Sequence, residues 1–291
     1  YLLHSLIASR LSLTSALFSI ISSIFCEQDS IPNPRLTHPV SFHAFITSSL
    51  MNLTILDVES TISNKGNPFN QSNKLCVVGI AVFPEDFGGA LKIEYDDEPY
   101  GDKLTQIKVW LSEYTDLLIG FAFKFDLNWL ARYGIRYNGK IWDCQLFEYF
   151  ASNSTWVYPS LAESCQRRGV EGEKFIDIAT EYWDQGINTP EIPWEIVEKR
   201  VLTDVDLTHQ LYLKQLEEFG TWSKPRQNLF RLQCQDLLVL HEIEYNGFYY
   251  DEEKSKEESQ KTEAILSLLK TEIYKLIDDS RPNLNSDEHL S

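Results

Sequence analysis

The sequence predicts a mixed α/β domain with a pair of helices after it. Two observations lead there. Short β-rich runs alternate with helical periodicity up to about residue 220, and beyond that point the pattern is helical only. A third observation sets the class. Hydrophobic residues are 43% of the 291 and charged residues 24%, which excludes disorder, collagen and coiled coil as the main state. No internal repeat or low-complexity tract is visible.

Asn52–Ser60 is β-rich and opens the sheet, and Leu75–Phe83 is a second strand. Leu91–Tyr95 reads as a short third strand with Leu91, Ile93 and Tyr95 on one face. Lys103–Tyr114 sets Leu104, Ile107, Trp110 and Leu111 at helical spacing. Asp116–Phe121 is a fourth strand, Asp126–Tyr133 a helix ended by Gly134, and Ile141–Trp142 a fifth strand. Helices come next over Asp143–Ala151, Ser160–Arg168, Glu173–Trp183 and Trp194–Phe219, with a break at Thr221–Pro225. Arg226–Tyr245 is a helix stopped by Asn246–Gly247. Asp251–Ile277 is another, with Ile265, Leu269, Ile273 and Leu276 in one apolar stripe. Two such helices cannot bury both stripes alone, so a further packing partner is expected.

Residues 1–50 differ in composition. They hold two basic residues (Arg10, Arg35), two acidic ones (Glu27, Asp29), and many serines, ahead of Met51, the only methionine. A signal peptide would rest on Arg10 alone as its basic region. The apolar run is interrupted by Ser12, Thr14, Ser15, Ser19, Ser22 and Ser23, against a membrane span. The expected organisation is a non-native or disordered upstream extension over 1–50, an α/β domain over 51–220, and a separate helical unit over 226–291.

Five cysteines lie far apart, with no CxxC and no Cys/His cluster, which excludes zinc-finger spacing. The net charge is −17, so there is no broad basic footprint for nucleic acid. A phosphate substrate must be met by a local basic patch or by bridging metal ions.

The acids supply candidates for the second route. Asp57 and Glu59 sit at i and i+2 at a strand end, facing the same way. Two such carboxylates repel unless a cation lies between them, commonly a hard divalent ion; alone they also fit a solvated surface pair. Asp126 comes after an apolar strand at a helix start, where capping also favours a carboxylate. Asp204 has Val197, Val201, Leu207, Thr208 and Leu211 on its own helical face. An inward Asp is costly unless it meets a metal or a cation. Asp206 lies on the other side and reads as solvated.

Three segments carry a resemblance. Asp57-Val58-Glu59-Ser60-Thr61, then Gly120…Lys124-Phe125-Asp126-Leu127-Asn128-Trp129-Leu130, then Asp204-Val205-Asp206-Leu207-Thr208 resemble the three motifs of DEDD-type 3′→5′ exonucleases. The stretch Leu232-Gln233-Cys234-Gln235-Asp236 through Glu244-Tyr245-Asn246-Gly247-Phe248 resembles the start of the polymerase region in family A DNA polymerases of phage type. The resemblance implies a ribonuclease-H-like mixed sheet flanked by helices, and a proofreading exonuclease followed by the first, thumb-side helices of a truncated polymerase domain. It implies two Mg²⁺ (or Mn²⁺) ions, with Asp57 bridging both, Glu59 and Asp204 completing the first site and Asp126 holding the second. Its implied partners are a single-stranded DNA 3′ end and the remainder of the polymerase chain, with no membrane, in the cytoplasm of a bacterial host if phage-encoded. Ser60, Thr61, Phe121 and Arg200 are the implied substrate contacts, with Phe121 and Phe123 also fitting core packing. Two positions depart from the family pattern. Ala122 replaces an Asn four residues before the second-motif Asp, and Arg200 replaces a Tyr four residues before the third. Metal binding is expected to survive and activity to be reduced. The competing expectations are a catalytically weak nucleic-acid-binding or structural domain, and a stand-alone RNA-processing exonuclease.

Overall fold

A computed structural model describes residues 53–83, 87–95, 103–114, 116–172, 178–277 and 283. The expected extension over 1–50 lies outside them. The chain divides into two compact units, the first running to Tyr245 and the second spanning Asn246–Ser291.

In the first unit, β1 (Leu53–Ser60) is the centre of a five-stranded sheet. It pairs antiparallel with β2 (Leu75–Phe83), which pairs antiparallel with β3 (Phe87–Lys92). On its other side it runs parallel to β4 (Leu117–Gly120), and β4 runs parallel to β5 (Lys140–Asp143). Leu75–Val82 are all buried, the signature of a strand covered on both faces. The third strand is Phe87–Lys92 rather than Leu91–Tyr95: it begins earlier and ends before Ile93, while Leu91, Ile93 and Tyr95 are all buried. Gly88-Gly89 hides that start, because glycine has low strand propensity. A side chain at Gly88 would meet the Ile80 carbonyl at 2.7 Å, so the pairing needs glycine there.

Helices α1 (Lys103–Glu113), α2 (Lys124–Arg132), α3 (Cys144–Ala151) and α4 (Leu161–Arg167) come in order. The helix expected over Glu173–Trp183 ends early, at Glu181. Residues 173–177 lie outside the described residues, α5 covers Ile178–Glu181, and Trp183–Gln185 is a 3₁₀ turn closed by left-handed Gly186. The 28-residue α6 (Trp194–Thr221) lies across the sheet against β1 and β2. Its close approach has a local cause. Gly79 is the partner of Asp57 in the β1–β2 ladder, and a Cβ there would stand 2.3 Å from Val201 and 3.2 Å from Val205.

The break before α7 (Lys224–Asn246) is only two residues, and α7 does not open a new body. Phe230 and Cys234 are buried in the main core. Phe230 packs edge-on to Trp142, Phe147 and Trp222, joining α7 to β5, α3 and the end of α6. Further along, Glu244 accepts from Lys124 Nζ (2.5 Å) and Asn128 Nδ2 (3.1 Å), and His241 Nδ1 lies 2.6 Å from Asn128 Oδ1. The expected boundary at 220–226 therefore moves to residues 245–246. The resemblance around Leu232 hides this, because it groups α7 with the C-terminal residues rather than with the sheet.

In the second unit, α8 (Glu252–Leu276) is N-capped by Asp251, which accepts the Lys254 N–H at 2.9 Å. Ile265, Leu269 and Leu276 are exposed along it. Among the described residues, no helix is long and apolar enough to cross a membrane.

Candidate metal centre

The carboxyl end of β1 is where the predicted acids meet. Asp57 and Glu59 project from the same face of β1, and α6 brings Asp204 to them from the glycine-notched crossing. One oxygen from each of Asp57, Glu59 and Asp204 lies within 4.8 Å of the others. Asp126 is not one of this trio. It sits in the first turn of α2, and its Oδ1 accepts the Val58 N–H at 2.9 Å. The N-terminal residue of that helix, Phe123, makes no side-chain cap, and the Asp126 carboxylate reaches sideways to β1.

Crowding and burial act together on these acids. Burial lifts the Asp57 carboxyl well above the usual range, and repulsion from Asp126, Asp204 and Glu59 lifts it further. Burial pushes Glu59 up to about 7 against the pull of Arg200. Asp126 is raised by burial despite its backbone hydrogen bonds, and Asp204 is raised by burial despite Arg200. A set of desolvated carboxylates facing one another is an unfavourable arrangement that a divalent cation relieves, and carboxylate oxygens are the donors that hard cations take. The trio fits such an ion.

Arg200 stands among them. Its Nε donates to Asp204 Oδ2 at 2.7 Å, one turn along α6, and lies 3.9 Å from Glu59 Oε1. Arg200, an implied substrate contact, is thus engaged with the acids of the cluster in this structure. Asp206 has a different partner, accepting from Gln210 Nε2 at 2.7 Å.

The remaining predicted contacts have internal partners. Ser60 Oγ donates to the Thr61 carbonyl at 3.1 Å. Thr61 Oγ1 donates to Asn73 Oδ1 and accepts the Lys74 N–H. The Thr61 hydroxyl thereby fastens the end of β1 to the loop before β2. Phe121 is half-buried against the main core, and Phe123 is fully buried. A side chain at Gly120 would strike the Phe123 ring, so the glycine is what lets the ring pack there.

Three residues that sequence reading passes over hold the site in shape. Asp143 ends β5 and caps α3, with Oδ1 accepting the Leu146 N–H at 3.0 Å. Its Oδ2 accepts the Phe123 N–H at 2.8 Å, which pins the turn that launches Asp126. That turn contains Ala122 in a left-handed conformation (φ 53). Thr189 Oγ1 donates to the Ser60 carbonyl, and Asn188 Oδ1 accepts the Ile62 N–H, so the segment before α6 grips the strand just past Glu59. A signal for Asp143 is present in the sequence, as an Asp directly before a helical run.

No family profile matches the sequence, and no curated protein matches it. Solved structures do. Brucella melitensis NrnC matches with a TM-score of 0.51 at 18% identity, over 71% of this chain and 92% of that one. Brucella melitensis NrnC bound to pGG matches with a TM-score of 0.50 at 17% identity, over 70% and 90%. The likeness fixes the fold. It is a ribonuclease-H-like fold, with a five-stranded mixed sheet flanked by helices.

Proposed function

We propose that this chain is a metal-dependent 3′→5′ exonuclease acting on the ends of short single-stranded RNA. The observation that carries the reading is the convergence of Asp57, Glu59 and Asp204 within 4.8 Å, with Asp126 anchored beside them at Val58. Asp57, Glu59 and Asp204 would hold one Mg²⁺ or Mn²⁺ ion, and Asp57 with Asp126 would flank a second. When bound, the ions polarise the scissile phosphate, lower the pKa of the attacking water and stabilise the leaving oxygen.

The chain's own residues do the rest. The four carboxyls must give up their protons before they can serve as oxygen donors, and burial makes them reluctant to do so. Asp143 holds the turn that sets Asp126. Arg200 cannot serve as a base, because a guanidinium stays protonated. It holds Asp204 in line and offers further N–H donors to a substrate phosphate.

RNA is favoured over DNA because NrnC, a structural neighbour, is bound to pGG, and this chain covers nine-tenths of that neighbour. A proofreading exonuclease of a family A DNA polymerase is the second reading. Two features favour it. One is the additional unit beyond Tyr245, whose α8 carries an exposed apolar stripe; the other is the sequence resemblance at Leu232–Phe248.

End-labelled oligoribonucleotides and oligodeoxyribonucleotides, incubated with the full chain in Mg²⁺, Mn²⁺ or EDTA, test the proposal. Stepwise loss from the 3′ end, abolished by EDTA and faster on RNA, is expected. Faster loss on DNA moves the assignment to proofreading, and no loss on either overturns the enzyme. Asp57→Ala should abolish calorimetric Mn²⁺ binding and lower the rate by about 10³-fold or more, while Asp206→Ala leaves both nearly unchanged.

A further inference from the structure

A second feature of the first unit suits nucleic acid, away from the carboxylates. A cavity of about 340 Å³ is lined by Trp156, Arg167, Arg168, Lys214, Glu217 and Glu218. In a chain of net charge −17, three cations and two carboxylates line this cavity around one indole, so the cations outnumber the acids here.

The walls are built differently. Arg168 is structural. Its Nε donates to the buried Glu148 at 2.6 Å and its Nη1 to Glu218 at 2.7 Å. Arg167 lies over the Trp156 ring with its guanidinium carbon 4.0 Å from the centroid. Lys214 is about half exposed, and its ion-pair partner Glu217, one turn away at 3.7 Å, is more exposed still. Such a pairing is worth little in water. Trp156 itself is exposed over more than a third of its surface. The cavity thus offers a solvent-facing aromatic plane backed by one cation, with a second cation loosely enough held to be drawn to a phosphate.

Its position relates it to the metal centre. Arg200, Asp204, Leu207, Leu211, Lys214 and Glu218 succeed each other at spacings of three and four along α6, which makes them one ridge. Ten residues separate Asp204 from Lys214 along that ridge, about 15 Å of helix. α4 packs against α6 in between and ends at the cavity with Arg167.

We propose that this cavity is a subsite for the single strand a few nucleotides upstream of the scissile bond. A base stacks on the indole of Trp156, and Arg167 and Lys214 meet the backbone phosphates. Stacking of this kind is tolerant of base identity, because every base has a π-face. The placement upstream of a 3′ end rests on the exonuclease reading; the binding of single strands by the cavity does not. A strand that reaches from the carboxylates to Trp156 is held at two points, and a dinucleotide at one. The subsite therefore selects for length rather than sequence.

The test separates the two claims. Fluorescence anisotropy of labelled single strands, from a dinucleotide to a decanucleotide, is measured with the full chain in Ca²⁺, which fills carboxylate sites with the loose, many-ligand geometry of a hard cation. Digestion of the same strands is monitored in Mn²⁺. The longer strands should bind more tightly than the dinucleotide. Trp156→Ala and Lys214→Glu should each weaken the decanucleotide by about tenfold while leaving dinucleotide binding and turnover unchanged, and Trp156→Phe should restore most of the loss. Decanucleotide binding that ignores both substitutions overturns the subsite, and so does an equal loss at every length. Pocket-dependent binding without digestion leaves the subsite standing and overturns the exonuclease. Digestion with pocket-independent binding does the reverse.

Discussion

Two long helices, α6 and α8, show how much a covered face matters. Both have an apolar stripe legible in the sequence. In α6 ten residues are buried, from Val197 to Phe219, and among them is a carboxylate, Asp204. In α8 no residue is buried, and its stripe faces solvent. Periodicity announces a face in each case but says nothing of what covers it. Where the sheet covers the face, an inward Asp becomes a group with a shifted proton affinity and a defined neighbourhood. Along α8, where no described residue is buried, the same pattern presents no such group.

Leucine truncation should expose the contrast most strongly. Leu211→Ala in α6 removes a fully buried side chain and should cost about 2–5 kcal/mol. Leu269→Ala in α8 should stay within about 0.5 kcal/mol. Chemical denaturation of the two variants measures this, and comparable losses would mean that the α8 stripe is packed in solution.

Acidity sharpens the contrast next. Glu59 loses its proton near 4.5 in the unfolded chain and at about 7 in the fold, and Asp57, Asp126 and Asp204 are raised as well. A group that holds its proton longer in the folded state stabilises that state at low pH. The stability is fully present below about 4.5 and is lost as pH climbs through 7. In EDTA the first unit should therefore melt at a lower temperature at pH 7.5 than at pH 5, by an amount on the order of 3 kcal/mol for Glu59 alone. Millimolar Mn²⁺ should recover much of it at the higher pH. A melting temperature that rises from pH 5 to pH 7.5 in EDTA would falsify this account of the carboxylates.

Helix caps offer a smaller test. Asp143→Ala should remove two hydrogen bonds, at Phe123 and Leu146, for about 1–3 kcal/mol, and displace Asp126. Asp251→Ala removes the cap of α8 and should leave the melting of the sheet unit unchanged. The smallest expected effect is a gain. Ala122→Gly relieves a left-handed backbone and should add about 1 kcal/mol, read as a raised denaturation midpoint.

Most of the sheet is legible in the sequence alone. β1, β2 and β4 are apolar runs of strand length, and Asp57 and Glu59 fall on one face by alternation. Helical phase gives Asp204 away, and spacing from Asp204 gives Arg200. The features that sequence hides have a common physical origin in tertiary contact. Asp126 is ambiguous, because its partner is an N–H sixty-eight positions away in sequence, at Val58. The glycine pair in β3 conceals a strand start that only its neighbour enforces. Trp156, Arg167 and Lys214 come from a loop and two helices, and no spacing rule joins them. α7 belongs with the sheet through Phe230, whose packing on Trp142 leaves no local trace.

Gly79 has a wider consequence. With no side chain between Asp57 and Val201, the separation of helix and sheet works as a gauge for the mouth formed by Asp57, Glu59 and Asp204. A methyl group at that one position would lift α6 and open the mouth without altering a single ligand. Were an ion held there, the fit of divalent ions of different radius would depend on a backbone contact on the strand next door, remote from any atom that an ion would touch.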